Sequence, residues 1–380
     1  MVEITNFQIR FLDVDYLRMH FFLFCVIMRC TNVTEGILIY MGKTGLIVEG
    51  GGMKCAYSAG ILDKFLDDSI AFDYCIGVSA GAANTLSYLA GQRGRNLRFY
   101  TVHLDDPRYL SVRSLLRTGN LFGLQYIYGT LTNSDGADPI DYDAIMKNPA
   151  EFYMPATDAL TGRAAYFSKF DIVRDDYRTI MATCALPAFC RPVNVNGHFY
   201  YDGGVADSIP VHHALEHGCD KVVIILSNPR DFVKQPEAHR PIYKRMLRKY
   251  PKTIEGIDHR HINYQASIDL SNQLEKEGRA LIFAPSRHLP LGTFSKNAAL
   301  EQQLYDLGVS DYEAKAATLQ DFLKSTDHFL AFLFVIKTFR LRIFILYQPE
   351  GFYKSFFRIP HPTCACSHLH LICDRFIRSK

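Results

Sequence analysis

Residues 44–55 read TGLIVEGGGMKC, and residues 72–81 read FDYCIGVSAG. Each is a short apolar run that stops at glycine. Behind the first, Ala56, Ala59, Ile61, Leu62, Phe65 and Leu66 recur near helical spacing. Behind the second, Ala82–Ala90 reads as a small-residue helix. The pattern predicts strand, glycine turn and helix twice over. The strands are Thr44–Glu49 and Phe72–Ile76, and the turns are Gly50-Gly51-Gly52 and Gly77–Gly81. KVVIIL (Lys221–Leu226) is a third buried-strand run, after a helical pattern at Val211–His217 that Gly218 is placed to end. Strands alternating with helices imply an α/β fold, with a mostly parallel sheet covered on both faces in three α/β/α layers.

Around Pro229 the character changes. Residues 235–325 are polar and helix-rich, including YKRMLRKYPK (Tyr243–Lys252) and the long pattern Ala298–Leu323. This reads as a helical accessory region packed on the α/β body, with the basic stretch Lys244–Lys252 as a solvated helix face. The expected organisation is an N-terminal extension (1–40), a catalytic domain (41–232), an accessory region (233–326) and a Phe- and Cys-rich basic tail (327–380). The two flanks hold 14 of the 27 Phe and half of the 10 Cys. They also carry the charge: the chain is +3 overall, but residues 327–380 alone are +5 and the body is −1. The flanks read as additions to a fold that begins near Met41, itself a plausible start.

A near-neutral body argues against nucleic acid as partner. The ten Cys show no regular paired spacing, so reduced thiols and a cytoplasmic setting are expected. Met19–Met28 (MHFFLFCVIM) is too short to span a bilayer and has no signal-peptide cleavage site. Phe329–Tyr347 is long enough, but Lys337, Arg340 and Arg342 interrupt it. Cys364, Cys366, His368, His370 and Cys373 have ligand types for zinc at a spacing that matches no common finger, so no metal site is assigned there.

The chemistry concentrates in three short motifs. Gly77-Val78-Ser79-Ala80-Gly81 fits G-x-S-x-G: a serine on a sharp strand-to-helix turn needs small neighbours so that substrate can approach its Oγ. The turn Gly50-Gly51-Gly52 ends the preceding strand, so its bare N–H groups can face the space above Ser79, as an oxyanion hole requires. It is not a phosphate-binding loop, since Met53-Lys54-Cys55 lacks the G-K-S/T ending, and Cys55 also breaks a dinucleotide fingerprint. A nucleophilic serine needs a base. Asp202, in Tyr200-Tyr201-Asp202-Gly203-Gly204, is the clearest candidate, although an ordinary Asp-Gly hairpin reads equally well there.

Together these segments resemble the patatin-like phospholipases, in particular the bacterial branch with a helical C-terminal extension. Gly50-Gly51-Gly52-Met53-Lys54 matches the family's G-G-G-x-R/K-G until Cys55 replaces the last glycine. Ser79 with Gly77 and Gly81 matches the nucleophile motif, and Asp202, Gly203 and Gly204 match D-G-G/A. Ala182–Val193 (ATCALPAFCRPV) and Ala156-Thr157-Asp158 with Thr161-Gly162 resemble further family stretches. The likeness covers about residues 43–325. It implies a lipolytic acyl hydrolase with a Ser79–Asp202 dyad, no catalytic His and an acyl-enzyme. The oxyanion would be held by backbone N–H groups of Gly50, Gly51 and Gly52, with no cofactor or metal. The implied partner is a lipid ester or phospholipid, with transient contact at a membrane surface. Two other readings stay open. One is a Ser-His-Asp esterase drawing on His198, His212, His213 or His217. The other is a lipid- or partner-binding module without turnover. His213 and His217, at i and i+4, could also suggest a metal pair, but solvated or capping roles are expected of them.

Overall fold

A computed structural model describes residues 42–324 of the chain. The apolar run at 19–28, the stretch 329–347 and the Cys/His cluster at 364–373 lie outside these residues. Eight strands form one sheet: β1 (Lys43–Val48), β2 (Tyr74–Gly77), β3 (Glu151–Asp158), β4 (Ala164–Ser168), β5 (Val193–Val195), β6 (His198–Asp202), β7 (Cys219–Ile225) and β8 (Ala280–Phe283). The pairings β3–β2, β2–β1, β1–β7 and β7–β8 are parallel, and β4, β5 and β6 add an antiparallel margin around β3. The helices used below are α1 (Ala56–Asp67), α2 (Ala80–Leu89), α3 (Arg95–Tyr100), α4 (Arg178–Thr183), α5 (Val211–Glu216), α6 (Arg240–Met246), α7 (Pro251–Lys276) and α8 (Ala298–Lys324).

The central strands are apolar without alternation because both faces are covered. Leu46, Val48, Cys75, Val223 and Ile225 pack with α1, α2 and α8 on one side. Ile47, Tyr74, Ile76, Val222 and Ile224 pack with α5 and α7 on the other. This is the expected three-layer α/β/α arrangement with its helical C-terminal region.

The helix-rich accessory stretch also holds a buried strand, Ala280–Phe283, that extends the sheet beside β7. Two local readings need correction. The stretch Tyr243–Lys252 is not one helix. It breaks after Met246, and Pro251 starts α7, where its missing N–H costs nothing. Its basic side chains do face solvent. His213 is not solvated: the face of α5 that carries it turns to the sheet. There it meets the Tyr74 hydroxyl at 2.5 Å and stacks on Tyr166 and His217. Burial and the neighbouring His217 push its pKa down to about 4.

The C-terminal region is built into the body. α8 crosses α1 with a glycine from each helix at the contact. A Cβ on Gly60 would stand 2.2 Å from the Tyr305 carbonyl oxygen, and one on Gly308 would stand 2.2 Å from that of Tyr57. The hydroxyls of Tyr57 and Tyr305 then donate to Asp311 and Asp63 across the crossing, at 3.0 and 2.8 Å.

Candidate active site

Strand β3 sets the geometry. Its first half pairs with β2 (Ile76 opposite Tyr153) and its second half with β6 (Asp202 opposite Ala156). Tyr153 and Ala156 also pair with β4, which must therefore lie on the opposite edge. So β2 and β6 share one edge of β3 and approach each other end to end. The turn that leaves β2 carries Ser79, and the end of β6 carries Asp202.

Ser79 has φ 54° and ψ −128°, a backbone conformation that costs a non-glycine residue about 1–3 kcal/mol. Packing holds it there. A Cβ on Gly77 would stand 2.6 Å from Ala82 Cα, and one on Gly81 would stand 2.6 Å from the Val48 carbonyl oxygen. The Ser79 N–H donates to Thr183 Oγ1 at 3.1 Å, and Thr183 in turn donates to the Pro155 carbonyl at 2.5 Å. The hydroxyl of Ser79 donates to Asp202 Oδ2 at 2.6 Å.

Asp202 is fixed from several sides. Its Oδ1 accepts from the Gly204 N–H at 2.7 Å, its own N–H donates to the Ala185 carbonyl at 2.9 Å, and its carbonyl accepts from Thr157 Oγ1 at 2.8 Å. The residues after it enter a 3₁₀ turn, Gly203–Val205, rather than a hairpin. Burial raises the carboxyl above the usual carboxylate range, while the Ser79 hydrogen bond, the Arg260 charge and the Gly204 N–H pull it back. A carboxylate raised in this way, bonded to a hydroxyl, is suited to accept that hydroxyl's proton.

The glycine turn lies beside the serine. A Cβ on Gly50 would come within 3.0 Å of Ser79 Cβ, so only bare backbone fits there. Among the described residues, the N–H groups of Gly50, Gly51 and Gly52 have no protein acceptor, whereas Met53 and Lys54 donate to Thr293 and Gly51 carbonyls. Gly52 has φ +60°. Cys55, the departure from the family motif, has φ −72° and is fully buried, so a side chain is tolerated there without backbone strain. Lys54 donates to Asn228 Oδ1 at 2.7 Å.

Two cavities meet at Ser79. One runs between α2 and α3 and is mostly apolar, with Phe99, Phe122, Leu124, Ile127 and Leu186 in its wall. The other is polar and carries Glu49, Lys54, Asp202, Lys234, Glu237 and Arg260. No histidine lines either of them among the described residues. His198 and His212 are exposed, while His213 meets Tyr153 edge-on and His217 meets it at a tilt, under the far face of the sheet. No cluster of three or more His, Cys, Asp or Glu able to hold a metal occurs among the described residues.

Residues 46–215 match the family model described as Patatin-like phospholipase. The chain carries a patatin-like phospholipase domain. Residues 250–324 match a second family, Domain of unknown function (DUF6363). Among curated proteins, the chain is similar to the uncharacterized protein YjjU of Escherichia coli (strain K12). The two are 27% identical over 288 residues, covering 70% of this chain and 75% of that one. Among solved structures, VipD from Legionella pneumophila aligns at 14% identity with a TM-score of 0.38, over 75% of this chain and 67% of that one. The patatin-like domain contains Ser79, Asp202 and the glycine turn. Among the described residues, no helix is long and apolar enough to cross a membrane.

Three contributors beside the patatin-like motifs were not singled out as site residues in the sequence. Thr183 lies in the quoted stretch 182–193, whose family likeness is its only signal. Thr157 likewise lies in a quoted stretch. Arg260 sits in a polar helix that offers no sequence signal at all.

Proposed function

We propose that the protein is a serine acyl hydrolase that cleaves lipid carboxylic esters through a Ser79–Asp202 dyad. The observation that carries this is the 2.6 Å hydrogen bond from Ser79 Oγ to Asp202 Oδ2, made with no histidine between them. Ser79 Oγ attacks the ester carbonyl carbon while Asp202 takes its proton. The tetrahedral oxyanion sits against the free N–H groups of Gly50, Gly51 and Gly52. Collapse expels the alcohol, which takes the proton from Asp202, and leaves Ser79 acylated. Asp202 then draws a proton from water, whose oxygen attacks the acyl carbon; the Ser79–acyl bond breaks, Ser79 Oγ takes the proton back from Asp202, and the acid leaves. The apolar cavity suits the acyl chain, and the polar one suits the alcohol half of the ester, as in a phospholipid. No step uses a metal or cofactor.

The test is a panel of p-nitrophenyl and lipid esters on purified protein, wild type beside Ser79→Ala, with fluorophosphonate labelling in parallel. Ester turnover and labelling that both vanish with Ser79→Ala support the reading. A folded wild type that neither labels nor turns over any ester would instead be a binding module on this fold.

A further inference from the structure

We infer that Arg260, on α7 in the C-terminal region, is a positioning residue for Asp202: it clamps the turn that fixes the carboxylate and lays a positive charge beside it. This rests on the dyad reading above and gives a role at the reacting centre to the segment matched as a domain of unknown function.

The geometry runs through one residue. Gly204 donates its N–H to Asp202 Oδ1 at 2.7 Å, and its carbonyl accepts from Arg260 Nε at 2.5 Å and from Ser208 Oγ at 2.7 Å. The peptide that orients the carboxylate is thus held from behind by α7. Arg260 also reaches past it. One terminal nitrogen lies 3.0 Å from where a Gly204 Cβ would be, and Asp202 Oδ1 lies 3.1 Å from the same point. The other terminal nitrogen pairs with Glu237 at 3.3 Å. A guanidinium suits this task because its fork can bond a carbonyl with one edge and keep its charge toward a carboxylate with another.

The other groups around Asp202 do not substitute for it. Cys55, Cys184 and Cys190 approach it as buried thiols whose pKa values are pushed up by desolvation, so they stay neutral. Glu49, at the end of β1, is itself raised by burial. Lys54 is tied to Asn228, and Lys234 is paired with Glu237 at 3.2 Å. Arg260 is the charge that offsets the burial of Asp202. Its removal raises the proton affinity of the base, so the acidic limb of activity moves to higher pH. Removing Glu237 frees the Arg260 charge and moves that limb the other way.

The experiment is the pH dependence of kcat/KM for p-nitrophenyl ester hydrolysis by the full chain, with circular dichroism to check folding. Arg260→Gln shifts the acidic limb up by about one pH unit, the size expected for losing an opposite charge at a few ångströms. Arg260→Lys retains most of the charge and shifts it by less than half as much. Glu237→Gln shifts it downward. Arg240→Gln removes an exposed ion pair with Asp258 near the start of α7 and leaves the limb in place. An acidic limb that stays put in both Arg260→Gln and Glu237→Gln overturns the inference, even if activity falls at every pH. So does an Arg260→Lys shift as large as that of Arg260→Gln. If Arg260→Gln does not fold, the direction of the Glu237→Gln shift decides. Failure of the dyad reading shows separately: hydrolysis by Ser79→Ala at the wild-type rate would discard both.

Discussion

Two stretches of this chain meet at one cavity and were built by different means. The patatin-like segment, 46–215, concentrates its information in short glycine-bounded turns: each motif sits at the end of a strand and delivers one group. The segment 250–324 has no such motif. It contributes a four-residue strand, a helix wedged on α1 and one arginine, each placed by tertiary packing. Each group that meets at the candidate site can therefore sit in a short motif while its support lies elsewhere in the sequence.

Substitutions sharpen the contrast. In the patatin-like segment the largest effect is on chemistry: Ser79→Ala lowers ester kcat/KM roughly 10⁴-fold or more with little loss of stability, as expected for a nucleophile. Activity that survives the change would mean that Ser79 is not the nucleophile. In the C-terminal segment the large effects are on stability. Gly308→Ala forces a Cβ against the Tyr57 carbonyl and costs about 3 kcal/mol by urea titration. Gly292→Ala, where nothing lies within 4 Å, stays near neutral. Equal costs at the two glycines would mean that α8 does not depend on that close crossing.

A smaller effect concerns Glu301, near the start of α8. It is fully buried with neither carboxylate oxygen hydrogen-bonded, and desolvation raises its pKa to about 8 from an ordinary 4.5. The folded state keeps the proton where the unfolded state has lost it. Stability therefore falls as pH rises from about 4.5 to about 8. Glu301→Met removes the penalty and raises the midpoint of thermal unfolding at pH 8 by about 4 °C, with a smaller gain at pH 5. A midpoint that drops equally at both pH values would show that the carboxyl has a partner the packing does not reveal.

Much of this was legible in the sequence, for physical reasons. β1, β2 and β7 are buried on both faces, so they read as apolar runs, although β2 starts two residues later than expected and β7 two residues earlier. Ser79 and Asp202 were legible because a strained turn and a strand end need glycines at fixed offsets. Their meeting was not: it spans 123 residues and depends on β3 serving as a common ruler for β2 and β6. β8 escaped because four apolar residues in a polar stretch look like part of a helix face. His213 was misplaced because i, i+4 spacing does not say which face of α5 turns inward. Arg260 was invisible because one arginine among many carries no pattern.

The proposed mechanism has an aspartate alone serving Ser79. Ester kcat/KM of Asp202→Asn, beside single alanine replacements of His198, His212, His213 and His217, decides this. Asp202→Asn is expected to lose roughly 10³-fold or more, with most activity kept in each folded histidine variant. A histidine replacement as damaging as Ser79→Ala, or an Asp202→Asn protein that still turns over ester at near the wild-type rate, would contradict it.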